Sequence, residues 1–160
     1  VCVKPVGLDS EAQVPAELKK TLGGEIFPVH RLDKNVGGVM VYARTKQAAA
    51  ALSKAVQDGA MVKEYVAMVH GLPPESGDWE DLLWKDSRKN KVYVVKRERS
   101  GRSHQIRVQF ASRGYPLVGD HKYGSRDERT DPMLFSCCIR FPWRGEQRRF
   151  EAMPDFGANP

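Results

Sequence analysis

Apolar residues in this chain come in short runs separated by glycine, proline and charge, and the period of each run predicts an element. Val1 to Val3 read as a strand entering the turn KPVGLD, where Pro5 and Gly7 break the pattern. A short helix follows: Pro15 suits a first helical turn, Leu18 and Leu22 share a face, and Gly23-Gly24 stop it. The loop FPVHRLDKNVGG then feeds an apolar strand, Val39 to Ala43. Thr45 can cap a helix through KQAAAALSKAVQD, with Leu52 and Val56 four apart and Gly59 at its end. A strand at Val62 to Val69 ends at His70, Gly71 and Pro73-Pro74, and KVYVVK from Lys91 is another. In HQIRVQFASR, Ile106 and Phe110 stand at helical spacing while IRVQF fits period two equally well; a cap at Ser103 and a stop at Gly114 favour helix. Met133 to Phe141 and Arg149 to Met153 predict two closing strands. Strands alternating with two or three helices indicate α+β or α/β architecture, a mixed sheet with helices packed on it.

A length of 160 residues fits one domain with one core. The 41% hydrophobic content and short apolar runs favour a folded domain over disorder, and no run approaches the roughly 20 residues of a membrane-spanning helix. Net charge is +6, and its distribution says more: residues 96 to 149 hold 13 Lys+Arg against 6 Asp+Glu. A basic stretch of this kind favours a polyanion, nucleic acid ahead of membrane. Cys2, Cys137 and Cys138 are odd in number and lack ligand spacing, so zinc is not expected and the cysteines read as reduced groups of a cytoplasmic protein. No secretory signal is present, and Val1 falls inside an apolar run, so the chain is expected to begin within a strand whose upstream portion is missing.

Three clusters could carry chemistry. In HRLDKNVGG, His30, Arg31 and Asp33 place a carboxylate beside a cation, as a nucleophile, a base or a stabiliser of an oxocarbenium-like centre requires. The tetrapeptide alone reads more simply as a turn started by Asp33 with a surface ion pair at Arg31. In residues 100 to 124, Arg102, Arg107, Arg113 and Lys122 are spaced for phosphates, with His104, Tyr115, His121 and Tyr123 interleaved for stacking or hydrogen bonding. A solvated basic helix with core aromatics explains the same letters. Tyr65 in VKEYVAMVHG would point opposite Glu64 and inward, as a core tyrosine also would. There is no P-loop, G-x-G-x-x-G, H-E-x-x-H or G-x-S-x-G, and the four histidines are scattered, so no cofactor and no metal is expected.

In this order the motifs resemble the RluA class of RNA pseudouridine synthases. HRLDKNVGGVMVYART is similar to that family's HRLD-x-x-(T/S)-S-G signature, VKEYVAMVHG to its K-x-Y-x-A-x-x-x-G strand, and GRSHQIRVQFASRGYPLVGDHKYG to its GR-(T/S)-HQIR…GD-x-x-YG block. VKPVGL resembles N-K-P-x-G-L, and LFSCCIRFPW with FEAMP resembles the closing strands. The resemblance implies the family's catalytic fold, an α+β core of mixed, mainly antiparallel sheet with flanking helices. It also implies cofactor-free isomerisation of uridine in ribosomal or transfer RNA. Asp33 matches the catalytic aspartate, Tyr65 the tyrosine that packs on the target base, and Arg107 the arginine that pairs with the aspartate. Arg31 lies beside Asp33, placed to displace or hold the flipped nucleotide. With His30, Arg102, His104, Arg113, Lys122 and Tyr123 it forms the expected RNA-facing set. A monomer without membrane association or an obligatory protein partner is expected.

Departures exist. NVGG replaces (T/S)-S-G, and Gln109 stands where the family often has His. Only KRERS lies between Val95 and Gly101, where the family carries two further strands, so residues are expected to be missing near 96 to 101. No S4-like RNA-binding module precedes the motifs. The competing readings are a non-catalytic RNA-binding domain of the same fold, a DNA-binding protein, which lacks a helix-turn-helix or finger, and a glycoside hydrolase, which needs a second acid near Asp33.

Overall fold

The computed structural model describes residues 1–96 and 104–157, which fall in two compact units: Val1–Val66 with Leu134–Pro160, and Ala67–Met133. In chain order the strands are β1 Cys2–Lys4, β2 Phe27–Pro28, β3 Gly37–Met40, β4 Tyr42–Ala43, β5 Val62–Ala67, β6 Leu83–Asp86, β7 Lys91–Val94, β8 Leu134–Trp143 and β9 Glu146–Glu151. The helices are α1 Gln13–Leu22, α2 Lys46–Gln57 and α3 Gln105–Ser112, with a single 3₁₀ turn at His121–Tyr123. The class is α+β, and the pairing is mixed and mainly antiparallel, as the family resemblance implied.

The first unit is built on a sheet in the order β1-β3-β8-β5, with β9 also on β8. β3 runs parallel to β8, with Gly37 opposite Phe135 and Gly38 opposite Ser136, and this approach is very close. Gly38 has φ +133°, and a Cβ there would lie 2.4 Å from the Ser136 nitrogen, so only glycine fits. Beneath the sheet, Val39, Val41, Ala43, Leu52, Met61, Ile139 and Phe141 form the core. α2 joins it as expected: the Thr45 hydroxyl accepts the Ala48 N–H at 3.1 Å, and Leu52 and Ala55 are buried.

Two expectations for this unit need correction. The strand expected over Val39 to Ala43 is two strands, because the Val41 amide leaves the ladder for the His30 ring; β3 stays in the main sheet and β4 pairs with β2. In α1, Pro15 lies in the first turn as expected, but Val14 is the buried residue and Leu22 is half exposed. The Asp9 carboxylate holds its approach by accepting the Glu11 and Ala12 N–H groups, both at 2.8 Å.

The second unit packs a β6–β7 hairpin against α3. Leu83, Val92, Val108 and Tyr123 form its small core. The segment from Gln105 is helical, as the cap and stop suggested, although Ser103 itself lies outside the described residues. Its buried residues are Arg107 and Val108, whereas Phe110 meets Trp79 edge-on at 4.8 Å. The Ile106/Phe110 face is displaced because an internal ion pair draws Arg107 inward.

Candidate active site

In the first unit, the loop between β2 and β3 carries Asp33, and each neighbour of Asp33 is tied down. The Ser10 hydroxyl donates to the Leu32 carbonyl at 2.9 Å and accepts the Leu32 N–H at 3.2 Å. The Asp33 carbonyl accepts the Val36 N–H at 3.0 Å, closing a turn. Lys34 is held through its carbonyl by the Gly7 N–H at 2.8 Å and the Lys4 ammonium at 3.1 Å. Lys4 is fully buried, and its Nζ also donates to the Pro5 and Leu8 carbonyls at 2.9 Å each. Burial lowers its pKa, opposed by the charges of Asp9 and Asp33. A buried ammonium with three carbonyl acceptors is a rigid staple between the first strand and the Asp33 loop.

The Tyr65 side chain, on β5, is largely buried, and Glu64 on the opposite face pairs with Arg140 at 2.8 Å. The alternation read from the sequence therefore holds. Burial and then the negative charge of Asp33 push the Tyr65 phenol up to about 12, while a hydrogen bond with Ser136 works the other way. Tyr65 thus carries its proton at neutral pH and senses the Asp33 carboxylate. Ser136 is completely buried, and its hydroxyl also lies 3.3 Å from the Val39 carbonyl. One side chain on β8 therefore links the strand leaving the Asp33 loop to the tyrosine.

His30 and Arg31 behave differently from each other. Arg31 is exposed and pairs loosely with Glu11 at 3.4 Å. His30 is tied into the fold: its Nε2 accepts the Val41 N–H at 3.0 Å, and its Nδ1 is buried with no partner. Burial, then the charge of Lys63, lowers its pKa to about 4. It is a neutral structural ring.

In the second unit, Arg107 is gripped by Asp120 through two parallel bonds of 2.7 Å, Nε to Oδ2 and Nη2 to Oδ1. Arg107 is 6% and Asp120 1% exposed, so the pair is fully desolvated. The guanidinium lies 5.3 Å from the centre of the Tyr123 ring. Tyr123 is buried, its hydroxyl accepts the Val92 N–H at 2.9 Å, and it meets His104 Nδ1 at 2.8 Å. Asp81 holds Arg113 bidentately at 2.6 and 3.1 Å, and the guanidinium stacks over Trp79 at 4.5 Å. Their side chains are engaged within the fold. Lys122 is partly exposed, and Arg102 lies outside the described residues. Among the described residues, no group of three or more His, Cys, Asp or Glu is placed to hold a metal ion.

Sequence reasoning passed over Lys4, Ser10, Asp120 and Ser136. Lys4 and Asp120 sit inside the quoted VKPVGL and GDHKYG motifs, where a charge among apolar neighbours was the available signal. Ser10 and Ser136 gave none, because their partners are 22 and 97 residues away.

A family model described as RNA pseudouridylate synthase matches residues 1–100. The chain belongs to this family. It is 37% identical over 131 residues to an uncharacterized RNA pseudouridine synthase of Chloroflexus aurantiacus, covering 66% of this chain and 42% of the relative. It is 32% identical over 160 residues to the dual-specificity RNA pseudouridine synthase RluA of Escherichia coli, covering 80% and 73%. The human RNA pseudouridylate synthase domain containing 1 shares the fold, with a TM-score of 0.82 at 20% identity over 96% of this chain and 78% of that one. The first two curated relatives are much longer, the chain covering 42% and 40% of their lengths.

Proposed function

We propose that this protein isomerises uridine to pseudouridine in ribosomal or transfer RNA. The observation that carries the reading is Tyr65, a partly buried, protonated phenol close enough to feel the charge of the Asp33 carboxylate, which stands on a loop whose backbone is fixed at every neighbour. Two such groups on a rigid frame suit a reaction in which the ribose C1′–N1 bond breaks, the uracil turns, C1′ bonds to C5, and the C5 hydrogen leaves as a proton. Asp33 attacks C1′ or starts the glycal route; Tyr65 packs on the base and stands ready for proton transfer at C5. Arg107, aimed by Asp120, is assigned the place that the resemblance gives the family's arginine, and Arg31 holds the flipped nucleotide. The chemistry calls for no cofactor. The thiols are free, in keeping with work in the cytoplasm, and the enzyme acts as a monomer. Among the described residues, no helix is long and apolar enough to cross a membrane.

The test is tritium release from RNA labelled at uridine C5, comparing the parent with Asp33→Asn in buffer lacking metal and cofactor. Release by the parent alone supports the isomerase and its carboxylate. Equal release by Asp33→Asn refutes the assignment, and RNA binding with no release by either protein favours a binding domain.

A further inference from the structure

The sequence places its surplus of positive charge after residue 95, but the structure neutralises much of that stretch. Arg107, Arg113, Arg140, Arg148 and Arg149 all sit in ion pairs, with Asp120, Asp81, Glu64, Glu146 and Glu151. The β6–β7 hairpin is the opposite case. Lys85, Arg88, Lys89 and Lys91 crowd onto two four-residue strands and their connecting turn, and none makes an ion pair among the described residues. The one carboxylate at the tip, Asp86, is turned inward onto the backbone, accepting the Arg88 and Lys89 N–H groups at 2.9 and 3.2 Å. Lys91 reaches over the Tyr93 and Tyr123 rings, at 5.8 and 5.6 Å from their centres. Cross-strand neighbours Trp84 and Tyr93 stack at 6.1 Å, and Leu83 and Val92 anchor the other face in the core. The hairpin is thus a stiff arm whose exposed tip carries uncompensated cations.

We propose that this hairpin docks the phosphate backbone of RNA, with Arg88 and Lys89 as the tip contacts. The proposal rests on RNA being the substrate. Charge complementarity selects the occupant: a polyanion gains from each unpaired cation by releasing a counterion, whereas a neutral partner gains nothing. An arginine already paired with a carboxylate releases no net counterion, so the paired stretch after residue 105 contributes little to docking.

The experiment is fluorescence anisotropy of a fluorescein-labelled single-stranded RNA of about 20 nucleotides, titrated across salt. Each cation lost should reduce the slope of log affinity against log salt by about 0.7. Arg88→Gln/Lys89→Gln should therefore lower the slope by about 1.4, so that its deficit against the parent shrinks about sevenfold between 50 and 200 mM salt. Arg148→Gln, which removes a paired charge, should keep the parental slope. An unchanged slope in the double variant, an equal fall in Arg148→Gln, or no salt-dependent binding by the parent overturns the proposal. Tritium release from C5-labelled RNA by the parent separates the two readings. Release with an unchanged slope refutes the hairpin alone, and a reduced slope without release keeps the hairpin and refutes the isomerase.

Discussion

His30 should make the protein's stability depend on pH in a window where most histidines do not. Its Nε2 accepts the Val41 N–H, so the ring proton sits on Nδ1, and protonating Nε2 would set two donors against each other. Together with burial, this keeps its folded pKa near 4, against an ordinary 6.5. Between those values the unfolded chain binds more protons than the folded one. The stability is present above pH 6.5 and drains away as pH falls toward 4. At 1.36 kcal/mol per pKa unit, and trimmed because the ring is only partly shielded, the loss is about 2–3 kcal/mol. The control is His30→Gln, whose Oε1 can accept the same N–H without titrating. Urea unfolding followed by tryptophan fluorescence at pH 7, 5.5 and 4 should show the parent losing that much more stability than the variant. Proton NMR of the imidazole should find one ring, missing from His30→Gln, that titrates below pH 5. Superimposable pH profiles, or a His30 titration at pH 6 or above, would refute the argument.

Asp120→Asn should cost about 3–5 kcal/mol in urea unfolding, because it strands the buried Arg107 charge; a cost under about 1 kcal/mol would show that Arg107 has an equivalent partner. Ser136→Ala and Tyr65→Phe should be coupled by about 1 kcal/mol in a stability double-mutant cycle, and strict additivity would remove the hydroxyl link between them. Gly38→Ala should destabilise by at least about 3 kcal/mol, since the β3–β8 approach leaves no room for a methyl. Gly7→Ala, with open space around it, should cost about 1 kcal/mol, and equal costs would contradict the close approach.

Elements with a local signature were legible. Thr45 as a cap, Gly59 as a stop and alternation at Glu64-Tyr65 depend on neighbours within a few residues, and each appears as read. The failures share a cause. Val41 interrupts a strand because of a histidine 11 residues back, and Arg107 turns inward because of an aspartate 13 residues on. Hydrophobic period is blind to such polar bonds. For the same reason the internal bonds of Tyr123 and Arg113 went unread: composition counts a charge or an aromatic ring without showing which bonds the fold gives it. The β6 strand went unread because LWKD is too short to display a period.

The parallel pairing of β3 with β8 also governs when the site can exist during synthesis. Gly38 and Ser136 are register partners, so the Asp33 loop and Tyr65 emerge long before the strand that braces both of them. At ribosomal rates of about 5–20 residues per second, the interval is about 5–20 s. Loop-closure entropy over that length makes the pairing a late event in refolding as well. Through that interval the nascent chain carries Asp33 and Tyr65 but lacks the strand whose Ser136 bonds the one side chain and braces the strand after the other's loop, so the proposed site waits on the β3–β8 pairing.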